Sequence, residues 1–357
     1  MPAKVYFIPL PDGVSVPDQV AALRRLYEHC QVNELLEERS YVAVKMSFGE
    51  KNNDTHIKPP LAAEVVRQIK QRGAYPFLTE TSTLYKGERS DAVKHMVLAE
   101  DHGFGLVDVG APIVMADGLL GDSEIEVPIE GEIFQKVNIA REAVVADALI
   151  GLAHPTGHVV TGLGAAIKNL GMGLASRMGK MRQHSALKPK VVEDKCRFCG
   201  KCITWCPEGV IEEKSGKAFI NDERCIGCGE CLAVCRFESI RYDWDADPSH
   251  LQKAMAEHAY GALKNKLDRC FFFNVLVDMT RNCDCAGEKQ HKLIPDVGIL
   301  ASRDPVAIDV ATLDLTVQKN GRNLGTASYP EHDALIQLRH AAKVGLGQLE
   351  YELIEVE

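Results

Sequence analysis

Eight of the twelve cysteines in this 357-residue chain fall in one short stretch, at the spacing of metal ligands. The first motif is Cys196-Arg-Phe-Cys199-Gly-Lys-Cys202, followed by Cys206 and Pro207. The second is Cys225-Ile-Gly-Cys228-Gly-Glu-Cys231, followed by Cys235. DKCRFCGKC answers ERCIGCGEC, an internal repeat. Thiolates two residues apart wrap one face of an iron–sulfur cubane, and intervening glycines let the backbone turn tightly around the sulfides. The fourth cysteine lies too far along for its own cluster and ligates the other. The expected sets are therefore Cys196, Cys199, Cys202 and Cys235 for one 4Fe-4S cluster, and Cys225, Cys228, Cys231 and Cys206 for a second. Two zinc sites are the alternative, because thiolates in fours also suit zinc. Even triplets with a distant fourth cysteine and Pro207 favour iron. Arg236 stands where the second motif would often carry proline; this alters the turn but removes no ligand.

Four cysteines remain. Cys283 and Cys285 flank Asp284 on a polar turn after an apolar strand, which admits a second metal site, a redox pair, or ordinary thiols. Cys30 and Cys270 read as buried small hydrophobes. His154 and His158 follow the apolar run VVADALIGLAH, where a histidine pair binds metal, shuttles protons or merely caps a loop. In GLGAAIKNLGMG, Gly162 and Gly164 open a helix carrying Lys168 and Asn169. That arrangement suits an anionic ligand or cofactor held by free backbone amides, with Lys168 as a charge or an acid–base group; close packing explains the glycines equally well. Arg177, Lys180 and Arg182 add positive charge nearby, or form a solvated face. The loop TETSTLYKGERSD supplies Glu80, Thr81, Tyr85, Lys86 and Arg89. His56 is a further proton or metal candidate. Asp117 and Asp304 read as turn or cap residues. Lys168, His154 and His158 are the candidate catalytic groups.

The elements that must position these residues alternate. KVYFIPL, SYVAVKMSF and AYPFLTET read as strands, and VPDQVAALRRLYEHC, PPLAAEVVRQIKQRG and SDAVKHMVLAEDHG as helices. IAREAVVADALIGLAH reads as a short helix running into a buried strand. After the cysteine stretch the pattern resumes with the helix HLQKAMAEHAYGALKNK and the strand CFFFNVLVDM, then a helix from DPVAIDVATLDL, a last helix and the strand LEYELIEV. Such alternation implies an α/β fold with a mainly parallel sheet flanked by helices. The simplest organisation is a body over 1–187 and 247–357, with a small α+β ferredoxin-type domain inserted at 188–246.

Composition fits this reading. Apolar residues make up 46% and charged residues 25% of the chain, as in an ordinary globular protein. The net charge is -9 and the pI about 5.8; with no basic stripe, nucleic acid is not an expected partner. No stretch approaches the roughly 18 apolar residues of a membrane helix, and the N-terminus lacks a signal-peptide pattern. A cytoplasmic, reducing compartment is expected, since secreted cysteines would pair as disulfides.

The chain resembles the iron–sulfur center proteins grouped as domain of unknown function 362. TLYKGERSDAVKH at 83–95, ADGLLG at 116–121, GHVVTGLGAAIKNLGMGLASRMGK at 157–180, the cysteine motifs, NCDC at 282–285 and ILASRDPVAIDVATLDL at 299–315 carry the resemblance. It implies an α/β body with an inserted or appended ferredoxin domain, and no particular reaction. Two functions from different classes follow. One is a ferredoxin-dependent oxidoreductase, relaying electrons to a small-molecule or metal site in the body. The other is a non-catalytic electron-transfer or metal-cofactor maturation partner that docks a redox protein.

Overall fold

The computed structural model describes residues 2–85, 87–184, 188–206, 208–225, 230–237, 239–241 and 248–357. Of the candidates above, Lys86 and Cys228 lie outside the described residues, as does Pro207. The body is built on an eight-stranded sheet. Its strands are β1 (Ala3–Pro9), β2 (Tyr41–Lys45), β3 (Tyr75–Glu80), β4 (Ile113–Met115), β5 (Ala148–Ala153), β6 (Cys270–Leu276), β7 (Gly298–Ser302) and β8 (Tyr351–Glu355). The order across the sheet is β8-β1-β7-β6-β5-β2-β3-β4. β7 runs antiparallel to β1 and β6; the other neighbours pair in parallel. The sheet is thus mainly parallel, with one reversed strand.

Strands of a sheet covered on both faces must be apolar at every position. CFFFNVL and ALIGLA meet that demand except at Asn274, which donates to Asp309 Oδ1 and Thr312 Oγ1, and both strands are buried throughout. Successive side chains then divide between two cores, because they leave opposite faces of the pleat. Phe271, Phe273 and Val275 join the core beneath helices α1 (Val16–His29), α2 (Pro59–Gln71) and α3 (Ala92–Asp101). Cys270, Phe272 and Leu276 join the opposite core. That core is covered by α4 (Ala166–Gly171), α6 (Pro248–Leu263), α7 (Pro305–Asn320) and α8 (Leu335–Lys343). The short helix α5 (Arg177–Gln183) stands beside them.

Local signals start the helices where expected. Ser15 accepts a hydrogen bond from the Asp18 amide at the start of α1. Asp304 caps α7, accepting from the Val306 and Ala307 amides at 2.9 Å each, with Pro305 in the first turn. Cys30 closes α1 but is only half-buried, whereas Cys270 is buried. Burial pushes both thiols up to about 12.

The glycine-rich segment departs from the expected turn into a helix. Gly162–Gly164 is a short strand paired antiparallel with Thr156–His158, and α4 and α5 follow as separate short helices. The Glu124–Pro128 strand pairs with a strand at Lys136–Ala140 that the sequence reading did not mark.

The cysteine segment has its own small core. Two short antiparallel ladders, Ile211–Lys214 with Lys217–Ile220 and Lys190–Val191 with Ile240–Arg241, surround an apolar cluster containing Val210, Ala218 and Ile240. Downstream of it in sequence, β6, β7 and β8 return to the same sheet as β1–β5. Among the described residues, no helix is long and apolar enough to cross a membrane.

Candidate functional site

Parallel strands leave their carboxyl ends on one edge, and loops from that edge converge. β2 ends at Lys45, β3 at Glu80 and β5 at Ala153, followed by His154; the loop after β6 carries Cys283, Asp284 and Cys285. These residues line a cavity of about 160 Å³, closed from the side by Lys168, Asn169 and Gly173 and by Lys180 and His184 of α5 and its end. Its size suits a small molecule.

The floor is an ion network. Glu80 lies between two cations: Lys45 Nζ is 2.5 Å from Glu80 Oε1, and Arg89 pairs with Glu80 Oε2. All three are buried. Burial alone would raise the Glu80 carboxyl, but Lys45 and Arg89 outweigh it and hold the group down to about 2. Burial pulls Lys45 below its ordinary value, with Glu80 opposing. Asn169 fixes Lys45 from the other side, accepting from its Nζ at 2.8 Å and donating to its carbonyl at 3.1 Å. Arg89 Nε donates to His95 Nε2 at 3.2 Å, which makes that ring a neutral acceptor; burial and Arg89 push it down to about 3.

Two further lysines reach the cavity. Lys180 Nζ donates to Thr81 Oγ1 at 2.6 Å and to the Ala175 carbonyl at 2.8 Å; burial lowers it to about 8. Lys168 is half-buried, and its Nζ, unlike those of Lys45 and Lys180, has no hydrogen-bond or ion-pair partner among the described residues. Burial, with Arg89 adding repulsion, brings it to about 8 as well. Near neutral pH it is a mostly charged donor turned to the cavity, able to bind an anion or exchange a proton. Gly164 makes room for it: a Cβ there would lie 3.0 Å from Lys168 Cδ.

The opposite wall holds His154 and Asp284. His154 Nδ1 donates to the Asp284 carboxylate, 3.0 Å from each oxygen, and Nε2 lies 2.9 Å from the Val277 carbonyl. Both ring nitrogens face acceptors, the environment of an imidazolium. Burial opposes that charge, but Asp284 more than offsets it and raises His154 above its ordinary value. Burial would likewise raise Asp284, and His154 holds it below. The Cys283 and Cys285 sulfurs are bonded to each other. A ring nitrogen of His158 lies within 4.8 Å of both.

The structure therefore gathers Lys168, Asn169, Gly164, His154, Glu80, Thr81, Tyr85, Arg89, Cys283 and Cys285 at one cavity. It corrects other expectations. Gly162 turns away: a Cβ there would meet His332 and Ala334. The α4 amides are not free to cradle an anion, since Ala166 and Ile167 each donate to Asp309 at 2.9 Å. His158 sits behind the cysteines, buried, with Nδ1 accepting from the Val160 and Thr161 amides. His56 stacks on His102 at 4.6 Å, and burial pushes it down to about 4. Arg177 braces neighbouring loops through the Leu120, Thr83 and Ser90 carbonyls. Asp117 is buried and accepts from the Ser82 amide at 2.8 Å. Lys45 was missed; its signal is a charge closing the otherwise apolar YVAVK.

In the cysteine segment, Cys196, Cys199, Cys202 and Cys235 line one small cavity with Ala218, Phe237 and Ser239. Ala218 N donates to Cys196 Sγ at 3.4 Å, and Ser239 Oγ is 3.1 Å from Cys235 Sγ. Amide and hydroxyl contacts of this kind suit the sulfurs of an iron–sulfur site, so the donor set fits a cluster. Cys206, Cys225 and Cys231 pack in the same apolar cluster.

The sequence matches the family described as Domain of unknown function (DUF362) over residues 42–314. An uncharacterized ferredoxin of Methanocaldococcus jannaschii is 38% identical over 42 residues, which is 12% of this chain and 29% of that protein. Among solved structures, the lactate racemase apoprotein from Thermoanaerobacterium thermosaccharolyticum aligns over 75% of this chain and 55% of its own length, at 13% identity and a TM-score of 0.38. A protein from Thermotoga maritima aligns over 74% and 51%, at 10% identity and a TM-score of 0.39. The chain thus spans about half the length of these two structures and under a third of the ferredoxin.

Proposed function

Starting from a chain that belongs to the Domain of unknown function (DUF362) family, we propose an iron–sulfur redox protein in which the cysteine segment relays electrons to a small anionic molecule in the body cavity. The two expected cysteine sets would hold the clusters, which supply one-electron transfers when bound. The observation that carries the reading is the charge of the cavity: among the described residues that line it, Lys45, Arg89, Lys168, Lys180 and protonated His154 face only Glu80 and Asp284. Glu80 is already engaged by Lys45 and Arg89, and Asp284 by His154. The surplus positive charge sits at Lys168 and Lys180, so a carboxylate or similar anion completes the site. Lys168 then anchors the anion, and His154 holds a proton within the same cavity.

The test uses the anaerobic, cluster-loaded protein with reduced methyl viologen and a panel of small carboxylates. Substrate-dependent viologen oxidation is expected, with Lys168→Met weakening apparent affinity about tenfold, the effect of one partly buried ion pair, while cluster reduction stays unchanged. Equal turnover of cationic analogues would overturn the reading. A second reading, a metal-holding maturation partner, would use the cysteines of the His158, Cys283 and Cys285 grouping. It requires a metal beyond the clusters that disappears in a Cys283→Ser/Cys285→Ser variant.

A further inference from the structure

Cys283 and Cys285 line the cavity wall with their sulfurs joined, and the surrounding groups fix the turn independently of that bond. The Glu50 amide donates to the Asp284 carbonyl at 2.8 Å, and the Ala286 amide to the Cys283 carbonyl at 2.8 Å. The Asp284 side chain is tied to His154. Opening the S–S bond would leave both sulfurs held where they are, facing each other and the cavity. Cys283 is buried and Cys285 half-buried, so Cys285 is the more exposed of the two.

His158 decides between metal and redox chemistry. Its Nδ1 accepts from two backbone amides, Val160 at 3.3 Å and Thr161 at 3.2 Å. An amide cannot reverse its role, so the neutral ring keeps its proton on Nε2. A ring with one nitrogen accepting and the other protonated offers no free lone pair to a metal ion. Its Nε2–H is the ring's one donor, and a ring nitrogen lies within 4.8 Å of both sulfurs.

We propose that Cys283 and Cys285 are a reversible dithiol–disulfide pair that passes two electrons to a small anionic disulfide bound beside Lys168, a role that rests on the electron-relay reading for its source of reductant. The Cys285 thiolate attacks the substrate disulfide. One substrate thiolate leaves, and a mixed disulfide forms at Cys285. The Cys283 thiolate then attacks Cys285 Sγ, the Cys283–Cys285 bond re-forms and the second substrate thiolate departs. The substrate gains two electrons and, from water, two protons. The pair is restored when a low-potential one-electron donor of the iron–sulfur class delivers two electrons and solvent supplies two protons, breaking the S–S bond to give two thiols. Lys168 draws the anionic substrate toward Cys285, and the ring of His158 stabilises the thiolate.

The experiment counts thiols by mass. Full-length protein, loaded with clusters under anaerobic conditions, is treated with reduced methyl viologen or with dithiothreitol. It is then denatured, alkylated with iodoacetamide and digested. The peptide carrying Cys283 and Cys285 is expected to pass from unlabelled to doubly labelled with either reductant, and back to unlabelled on adding 3,3′-dithiodipropionate, with release of 3-mercaptopropionate. The neutral 2-hydroxyethyl disulfide should react about tenfold more slowly, and Lys168→Met should erase that preference. If dithiothreitol opens the pair and the dicarboxylate closes it while viologen reduces the clusters but leaves the pair intact, the dithiol chemistry stands and the relay falls. A pair labelled in untreated protein would overturn the proposal. So would a pair unlabelled under both reductants, or one metal ion per chain that is lost in Cys283→Ser/Cys285→Ser.

Discussion

Glu80 carries two buried cations, so its removal leaves both uncompensated. Breaking a buried pair by deleting one partner costs about 3–5 kcal/mol. Glu80→Gln is therefore expected to lower unfolding free energy by about 3 kcal/mol in urea titrations, and Lys45→Met added to it should recover part of that loss. The His154–Asp284 pair has its own pH signature. His154 is raised above its ordinary value, so its contribution is complete below the unfolded value near 6.5 and fades as pH rises through the folded value. Asp284 is lowered, so its contribution is present above 3.8 and is lost as pH falls through its folded value. Asp284→Asn should therefore cost most stability between about pH 4 and 6.5, about 2 kcal/mol there, and less at higher pH; a flat difference across pH 4–9 would refute the pairing. Lys168 is the reverse case: its folded value is about 8 against 10.5. The folded state binds fewer protons between these values, so wild-type stability should rise relative to Lys168→Met across that window. Cys283, Cys285 and Lys168 stood out by residue type and spacing, and the structure places all three at the cavity. Lys45 was not, because its partner Glu80 lies 35 residues away and only the pairing of β2 with β3 brings the two strand ends together.

At the scale of elements, α4 and α6 touch through a glycine. A Cβ on Gly171 would stand 2.1 Å from the Met255 carbonyl oxygen, and a helix backbone cannot yield that distance cheaply. Gly171→Ala is expected to destabilise by about 3 kcal/mol or to prevent folding. Gly164→Ala, which meets the flexible stem of Lys168 and, at ordinary contact distance, Thr156 Oγ1, should leave thermal unfolding nearly unchanged while weakening anion binding. Similar thermal shifts for the two variants would show that the close crossing is absent. Periodicity and punctuation located the long helices and buried strands, because those signals are local. The expected anion cradle at α4 failed for a non-local reason: Asp309, 143 residues from Ala166, already supplies the carboxylate that those amides hold. No motif within the glycine segment encodes that partner.

Across the whole molecule, the cysteine segment and the body are separable tests. Two cubanes require about eight iron and eight sulfide per chain, and anaerobically purified protein should contain them. Cys206→Ser should diminish the cluster whose other expected ligands are Cys225, Cys228 and Cys231, leaving the signal of the first set; loss of the first set alone would refute cross-ligation. The repeat marked this segment in the sequence, because metal-ligand spacing is local, and the structure brings Cys196, Cys199, Cys202 and Cys235 to one cavity. The order of the sheet was not, since strand neighbours are chosen by packing between distant segments. That order also has a history in time. β5 is finished early in synthesis, but its neighbour β6 is encoded only after the cysteine segment, and β1 waits for β7 and β8 near the end of the chain. At about 5–20 residues per second, the apolar edge of β5 stays unpaired for on the order of 10 s while the ribosome delivers the cysteines. Any cluster that the segment takes up at that stage would meet a nascent chain whose body has not yet closed. An exposed edge of that kind calls for shelter by a chaperone, so slowing translation just after the cysteine segment should raise the yield of loaded protein only where such shelter is abundant.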